Sequence, residues 1–225
     1  MSAVYHECHS STHNASINPK EREVMKRVVL KWALLLVVLV LSMAPVAAWE
    51  QTAVVRNCTW CHGTSAQGYT VAPRLAGQRP LYLEGQIRSF REHIRDNPLS
   101  RQYMWGAAAT VGPEAARDLA GYFASIEPKP ANDGNSALAA RGRAIYMEGI
   151  PEANIAACYA CHGPNAEGIR DIPRLGGLGH YYLKARLEQW GQGYHSLPDS
   201  PMPLVARSLG PDVVEALTSY LSFVR

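Results

Sequence analysis

Apolar side chains recur at helical spacing in two long stretches of the chain. In residues 81–94 they lie four, three and four positions apart, which places them on one helix face, at Leu83, Ile87, Phe90 and Ile94. Residues 181–192 repeat the pattern with Leu183, Leu187 and Trp190. No stretch alternates apolar and polar residues before a hairpin turn, so the pattern predicts an all-α fold.

Proline and glycine divide the rest of the chain into shorter helices and long loops. Pro113 and Pro211 each precede apolar residues at helical spacing, and proline favours the first turn of a helix. Residues 137–147 predict a further helix. Residues 63–80 and 163–179 are long for structureless connections, and loops of that length usually enclose something.

The N-terminal region has the order of a secretory signal peptide. Basic residues at positions 26, 27 and 31 precede an apolar run over residues 32–41, and small side chains follow at residues 46–48. We expect cleavage after Ala48 and translation to begin at Met25, so residues 1–48 are an extension and signal peptide. The alternative is an uncleaved anchor, because residues 28–48 could reach the roughly 20 residues that span a bilayer.

The remaining chain consists of two copies of one sequence unit. Eleven positions recur 100 residues later, among them a Cys-x-x-Cys-His-Gly string, a Pro-Arg-Leu string and a Tyr-Leu pair. A tandem duplication predicts two domains, at residues 49–127 and 137–225, joined by a polar, proline-rich linker at residues 128–136. Each half is small for a domain stabilised by side-chain packing alone, so something else should fill its core.

Composition and charge exclude some classes of protein and leave cysteine as the informative residue. The 225 residues are 47% hydrophobic and 18% charged, which is ordinary for a globular protein. The formal net charge of +3 gives no reason to expect a nucleic acid partner. Four of the five cysteines lie in the two repeated strings, and we assign no role to the fifth, Cys8.

Both strings have the spacing that attaches a c-type haem covalently. They consist of Cys58, Cys61 and His62, and of Cys158, Cys161 and His162. One helical turn presents two thiols to the two vinyl groups of a porphyrin, and the adjacent histidine ligates the iron. A zinc site fits less well, because its two cysteine pairs normally lie about 15 to 20 residues apart, whereas 96 residues separate Cys61 from Cys158. A thioredoxin-like redox pair needs a βαβ context that the sequence lacks. Disulfides between the pairs leave both histidines and the repeat unexplained. The sequence therefore predicts two covalent haem c groups.

The residue opposite each histidine decides between electron transfer and catalysis. Met104 and Met202 are the candidates, because each follows its haem motif at nearly the same distance and precedes a Gly-Pro helix start. His93 and His195 are rivals, although they do not correspond across the repeat. A thioether sulfur favours ferrous iron and raises the reduction potential relative to a second histidine.

Other residues are expected to support the two sites. We expect the backbone carbonyls of Pro73 and Pro173 to accept hydrogen bonds from the two iron-ligating histidines. Aromatic residues near each motif are expected to line the haem pockets rather than to relay electrons, namely Tyr82, Tyr182, Trp105 and Trp190.

These motifs resemble a tandem di-haem class I cytochrome c of the cytochrome c4 type. The resemblance covers residues 49–225 and implies two cytochrome c domains that face each other, with the haem propionates near their junction. It also implies His62 and Met104 on the first iron, and His162 and Met202 on the second. In one respect the chain departs from the family: few residues precede Cys58, so the first domain's opening helix is short or is extended by the upstream segment.

The family resemblance also implies a cellular role. It implies single-electron transfer in the periplasm between partners such as a bc-type complex, a dehydrogenase and a terminal oxidase, with membrane association if the signal segment is retained. The alternatives are a cytochrome subunit of a dehydrogenase complex, or a di-haem enzyme such as a peroxidase or a thiosulfate-oxidising cytochrome.

Overall fold

The computed structural model describes residues 18–195 and 200–225. The side chains of residues 38–52 lie outside this description, as does Cys8, and so does the side-chain environment of the expected cleavage site after Ala48. The chain divides into two compact units, residues 1–52 and residues 53–225.

The first unit contains most of a long helix, α1, which begins at Pro19 and ends at His62. The described side chains of this unit, at residues 18–37, are exposed. In the described part of the chain, no helix has a stretch both long and apolar enough to span a bilayer.

The second unit is helical, as the sequence predicts. Its helices after α1 are α2 (Pro80–Arg91), α3 (Trp105–Ala108), α4 (Pro113–Ser125), α5 (Ala139–Glu148), α6 (Tyr159–His162), α7 (His180–Gly191), α8 (Met202–Arg207) and α9 (Pro211–Phe223). Residues 18–195 and 200–225 contain no β-strand, only two isolated bridges. Helices α4 and α9 both begin at the prolines that the sequence marks as helix starts.

Each repeat builds its own apolar core. In the first repeat, Leu83 of α2 packs with Leu119 and Phe123 of α4. In the second repeat, Leu183 of α7 packs with Leu217 and Leu221 of α9. The equivalent helices therefore bury equivalent faces, because the apolar residues were duplicated together.

Helices α5 and α9 cross closely in the second repeat, and Gly142 makes this approach possible. A Cβ atom at Gly142 would overlap the backbone carbonyl oxygen of Ala216 and lie 2.6 Å from the Cβ of Tyr220. The opening helix of this repeat is therefore held against its closing helix by backbone contact, which any larger residue prevents.

We expect Gly142→Ala to lower the free energy of unfolding by about 1–3 kcal/mol, because the new methyl group pushes α5 away from α9. Gly121 is the matched control, since it lies within helix α4 and has open space around its Cα. Gly121→Ala should leave stability unchanged or raise it by up to about 1 kcal/mol, as alanine favours helices over glycine. Chemical unfolding followed by circular dichroism measures both, and equal effects would contradict the close crossing.

The linker between the repeats is hydrogen-bonded to both of them. The guanidinium of Arg74 donates to the carbonyl oxygens of Lys129 (2.8 Å), Gly177 (2.7 Å) and Gly176 (2.6 Å). Residue 131 donates through its backbone N–H to the carbonyl of Gly177. Burial, together with the charge of Arg174, lowers the pKa of Arg74 to about 10, so this side chain stays cationic at neutral pH.

Arg74 and Arg174 occupy equivalent positions but contribute unequally. Among the described residues, the Arg174 side chain donates one hydrogen bond, from Nε to the carbonyl of Gly176 at 3.2 Å. We expect Arg74→Gln to lower the free energy of unfolding by about 3–5 kcal/mol, because buried carbonyls lose their donors. Arg174→Gln should cost only about 1 kcal/mol. Comparable losses in denaturant titrations of the two variants would show that Arg74 does not join the repeats.

Candidate haem sites

The two Cys-x-x-Cys-His strings both lie on helical turns. The first ends α1, and the second begins at Cys158 and continues through α6. All four thiols of the strings are free, with Cys58 and Cys158 partly buried and Cys61 and Cys161 exposed. Cys58 and Cys158 also pack against the apolar cores of their own repeats.

Burial favours the protonated thiol at the first cysteine of each string. It raises the pKa of Cys58 above its usual range and raises the pKa of Cys158 to about 11. A reduced cysteine that is not part of a disulfide is what can add across a vinyl group to make a thioether. The donor set therefore suits a covalently attached porphyrin.

The two histidines are oriented in the same way. Nδ1 of His62 donates to the carbonyl of Pro73 at 2.7 Å, and Nδ1 of His162 donates to the carbonyl of Pro173 at 3.0 Å. The predicted proline contacts are confirmed. Because a carbonyl oxygen only accepts, Nδ1 carries the proton and Nε2 keeps its lone pair. Each imidazole is thus prepared to ligate a metal through Nε2.

Both imidazoles are held neutral, but their electrostatic surroundings differ. Burial lowers the pKa of His62 and of His162, opposed in each case by the proline carbonyl. The positive charge of Arg95 also lowers the pKa of His62. No arginine acts in this way on His162 among the described groups.

The loop after each histidine has the same backbone path in the two repeats. The N–H of Gly68 donates to the carbonyl of His62, and the N–H of Gly168 donates to that of His162, both at 2.8 Å. Both glycines have positive φ, and a Cβ atom would lie 2.5 Å from the backbone nitrogen of Arg74 at Gly68 and of Arg174 at Gly168. These turns bring the proline carbonyls back to the histidines.

The two candidate methionines are half-buried at helix ends. Met104 is the last residue of a π-helical turn, Ser100–Met104, and Met202 is the first residue of α8. The π-helical turn was not expected from the sequence. Ligation of the irons by these sulfurs, and by Nε2 of the histidines, stays a prediction.

The rival histidines have other contacts. His93 has positive φ, is exposed and stacks on the ring of Trp105 at a centroid distance of 3.9 Å. His195 is buried, and its Nδ1 lies 2.9 Å from Nη2 of Arg186. Since a guanidinium only donates, Nδ1 of His195 accepts this bond.

Sequence analysis missed a polar cluster at the junction of the repeats. Arg95 and Arg186 are both buried there, beside the predicted pocket residues Tyr82, Tyr182 and Trp190, which are half-buried. The comparison of the two repeats contained a signal for this cluster, because the repeats differ at its positions. At an offset of 100, Gln86 corresponds to Arg186, and Arg95 corresponds to His195.

Comparisons with known proteins agree with this site. The cytochrome c-552 of Acidithiobacillus ferridurans is 30% identical over 202 residues, covering 87% of each chain. A thiosulfate dehydrogenase electron acceptor of Stutzerimonas stutzeri strain A1501 is 36% identical over 180 residues, 74% of this chain and 78% of that protein. No family model matches the chain.

Among solved structures, the cytochrome c4 of Acidithiobacillus ferrooxidans superimposes with a TM-score of 0.69 at 30% identity, covering 74% of this chain and 98% of that one. Two helical repeats with a haem-attachment motif in each define a tandem di-haem class I cytochrome c. The chain belongs to the cytochrome c4 family. As in other members, its cofactors are two covalently bound haem c groups, and it is an electron carrier.

Proposed function

We propose that this protein is exported to the periplasm and shuttles single electrons between respiratory complexes. In each half a histidine and a methionine would hold the iron, His62 with Met104 and His162 with Met202. The observation that supports this most strongly is the equivalence of the two sites, since both histidines have their Nδ1 proton bonded to a proline carbonyl. Two sites with the same contacts suit an electron carrier better than an enzyme.

The bound haem supplies a one-electron couple between ferric and ferrous iron. The chain supplies orientation, because the hydrogen bond at Nδ1 stops the imidazole from rotating and strengthens it as a donor through Nε2. The apolar cores behind Cys58 and Cys158 exclude water from one side of each site. Little rearrangement is then needed when an electron arrives or leaves.

The partners follow from this role. We propose a bc-type complex or a membrane dehydrogenase as donor and a terminal oxidase as acceptor. The segment before Trp49 exports the chain, and it anchors the protein to the membrane if it is retained. The mature protein's N-terminal sequence distinguishes these states, since recovery of residues before Trp49 from membranes indicates the anchored form.

A second candidate partner comes from the 36% identical relative. Its name makes it the electron acceptor of a thiosulfate dehydrogenase, and it resembles this chain over both repeats. We propose a thiosulfate dehydrogenase as an alternative donor, with this chain receiving electrons and not performing the oxidation itself.

One series of mixing experiments separates these functions. The oxidised protein is mixed with thiosulfate alone, with thiosulfate plus a thiosulfate dehydrogenase, and with a bc-type complex and its quinol. Reduction only in the third mixture supports the respiratory shuttle, and fast reduction in the second supports the alternative donor. Sustained turnover with thiosulfate or peroxide alone would show an enzyme and overturn the carrier function.

A further inference from the structure

The segment that leads to Met104 is built differently from its counterpart in the second repeat. Equivalent positions lie 100 residues apart at Leu83 and 98 residues apart at Met104, so the first repeat has two additional residues between them. This segment contains the π-helical turn Ser100–Met104, in which the backbone N–H of Trp105 donates to the carbonyl of Ser100, five residues earlier. Such turns are rare and occur frequently at functional sites. A rare conformation at the predicted iron ligand requires contacts that maintain it.

Asn97 caps the beginning of this turn. The residue is buried, with 3% of its surface exposed, and its Oδ1 accepts the backbone N–H of Ser100 at 2.9 Å. Its own carbonyl accepts the N–H of Arg101 at 3.0 Å. This is the pattern of an N-cap residue, whose side chain supplies an acceptor that the backbone lacks at the start of a helical segment. Because a buried N–H without a partner is costly, loss of this side chain favours opening of the turn.

Trp105 holds the end of the same turn. Its Nε1 donates to the backbone carbonyl of Arg95 at 2.9 Å, and its ring stacks on that of His93 with the centroids 3.9 Å apart. The backbone N–H of Arg95 in turn donates to the carbonyl of Ser89 in α2, at 3.1 Å. The loop that binds the indole is therefore itself fixed to α2, and Met104 directly precedes the residue that is held.

The second repeat restricts its methionine by different means. Met202 lies between Pro201 and Pro203, and Pro203 occupies the position equivalent to Trp105. A proline ring fixes φ near about −65°, so the backbone on both sides of Met202 is already limited by covalent structure. Met104 has no directly neighbouring proline. The first repeat therefore relies on hydrogen bonds and ring stacking for a restriction that the second obtains from its covalent chain.

We propose that Asn97 and Trp105 are positioning residues that keep Met104 on the first haem iron and prevent small external ligands from replacing it. The proposal rests on the ligation by His62 and Met104 given in the proposed function. An external base binds that iron only while the methionine is away from it, so its apparent affinity is the intrinsic affinity multiplied by the fraction of molecules with an open turn. Contacts that stabilise the closed turn lower this fraction. Both residues act through the backbone of the turn.

Imidazole binding to the ferric holoprotein tests this proposal. When imidazole replaces a thioether on the iron, that haem's share of the long-wavelength sulfur-to-iron charge-transfer band is lost. Asn97→Ala removes the cap, and Trp105→Phe removes the indole N–H while keeping an aromatic ring. Each variant should have the full band before imidazole is added. Each should then lose the first haem's share at an imidazole concentration about five- to tenfold lower than in the wild type.

Two further variants show whether the contacts themselves are responsible. Asn97→Ser keeps an oxygen that can cap the turn, and it should bind imidazole within about twofold of the wild type. Tyr103→Phe alters the same turn at a residue that is 57% exposed, and it should have no effect. An effect of Tyr103→Phe as large as that of Asn97→Ala would overturn the proposal, because any change in the turn would then be sufficient.

Measurements in the Met202→Ala background assign the effect to one haem, because the remaining band then comes from Met104 alone. The gain in imidazole affinity should persist there, and it should be absent in the Met104→Ala background, where the second haem supplies the band. Equal gains at both haems, or wild-type affinity in Asn97→Ala and Trp105→Phe, would contradict the proposal. Trp105→Phe carries the test by itself if Asn97→Ala does not fold.

A failure of the proposed function gives a different result. If Met104→Ala leaves the band at full strength, methionine ligation of the first iron is wrong, whatever the other variants show. If Met104→Ala removes half of the band but neither Asn97→Ala nor Trp105→Phe changes imidazole binding, the ligand is right and the positioning role is wrong.

Discussion

Replacing Cys158 and Cys161 by serine is expected to remove one of the two haems from the protein. Serine cannot form the thioether, and the second repeat then has only its two non-covalent iron ligands, His162 and Met202, to hold a cofactor. The covalent porphyrin mass, measured on protein matured in a competent bacterial host, should fall by half. The same pair of changes at Cys58 and Cys61 should remove the other half.

The controls for this experiment lie between the cysteines. Thr59→Ser and Tyr159→Phe alter the same helical turns and leave every thiol in place. Both should retain two haems. Two porphyrins in the double-serine variant would place the attachment elsewhere, and no porphyrin in the unaltered protein would remove the basis of both proposals.

Replacing either methionine by alanine is expected to abolish half of the long-wavelength sulfur-to-iron charge-transfer band of the ferric protein. The band arises only from a thioether on the iron, so Met104→Ala and Met202→Ala should each remove the share of one haem. The reduction potential of that haem should fall as well, because the ligand that favours ferrous iron is lost. Absorbance spectra and redox titration measure both effects.

Met147→Leu is the matched control, since Met147 packs against the core of the second repeat close to its haem motif. It should leave the band at full strength. His93→Gln and His195→Gln test the rival ligands. A band that survives both alanine variants, together with a spectral change in either histidine variant, would contradict methionine ligation.

Several parts of the fold followed from local signals in the sequence. The apolar spacing in residues 81–94 and 181–192 predicted α2 and α7, and Pro113 and Pro211 begin α4 and α9. These signals are local, because a helix face and a first helical turn depend on residues within a few positions. The π-helical turn Ser100–Met104 has no such signal and depends on what packs around it.

By itself, the sequence determined the two haem-attachment motifs, the all-α class, the duplication and the proline carbonyls bound to the histidines. Each of these depends on short spacing or on self-comparison of the chain. Only the tertiary structure decided that Arg74 joins the linker to the second repeat and that Arg95 reaches Tyr182, because these contacts join residues 55 to 103 positions apart. Burial removes water as the alternative partner of such groups, so their pairing depends on the folded chain and not on their neighbours in sequence.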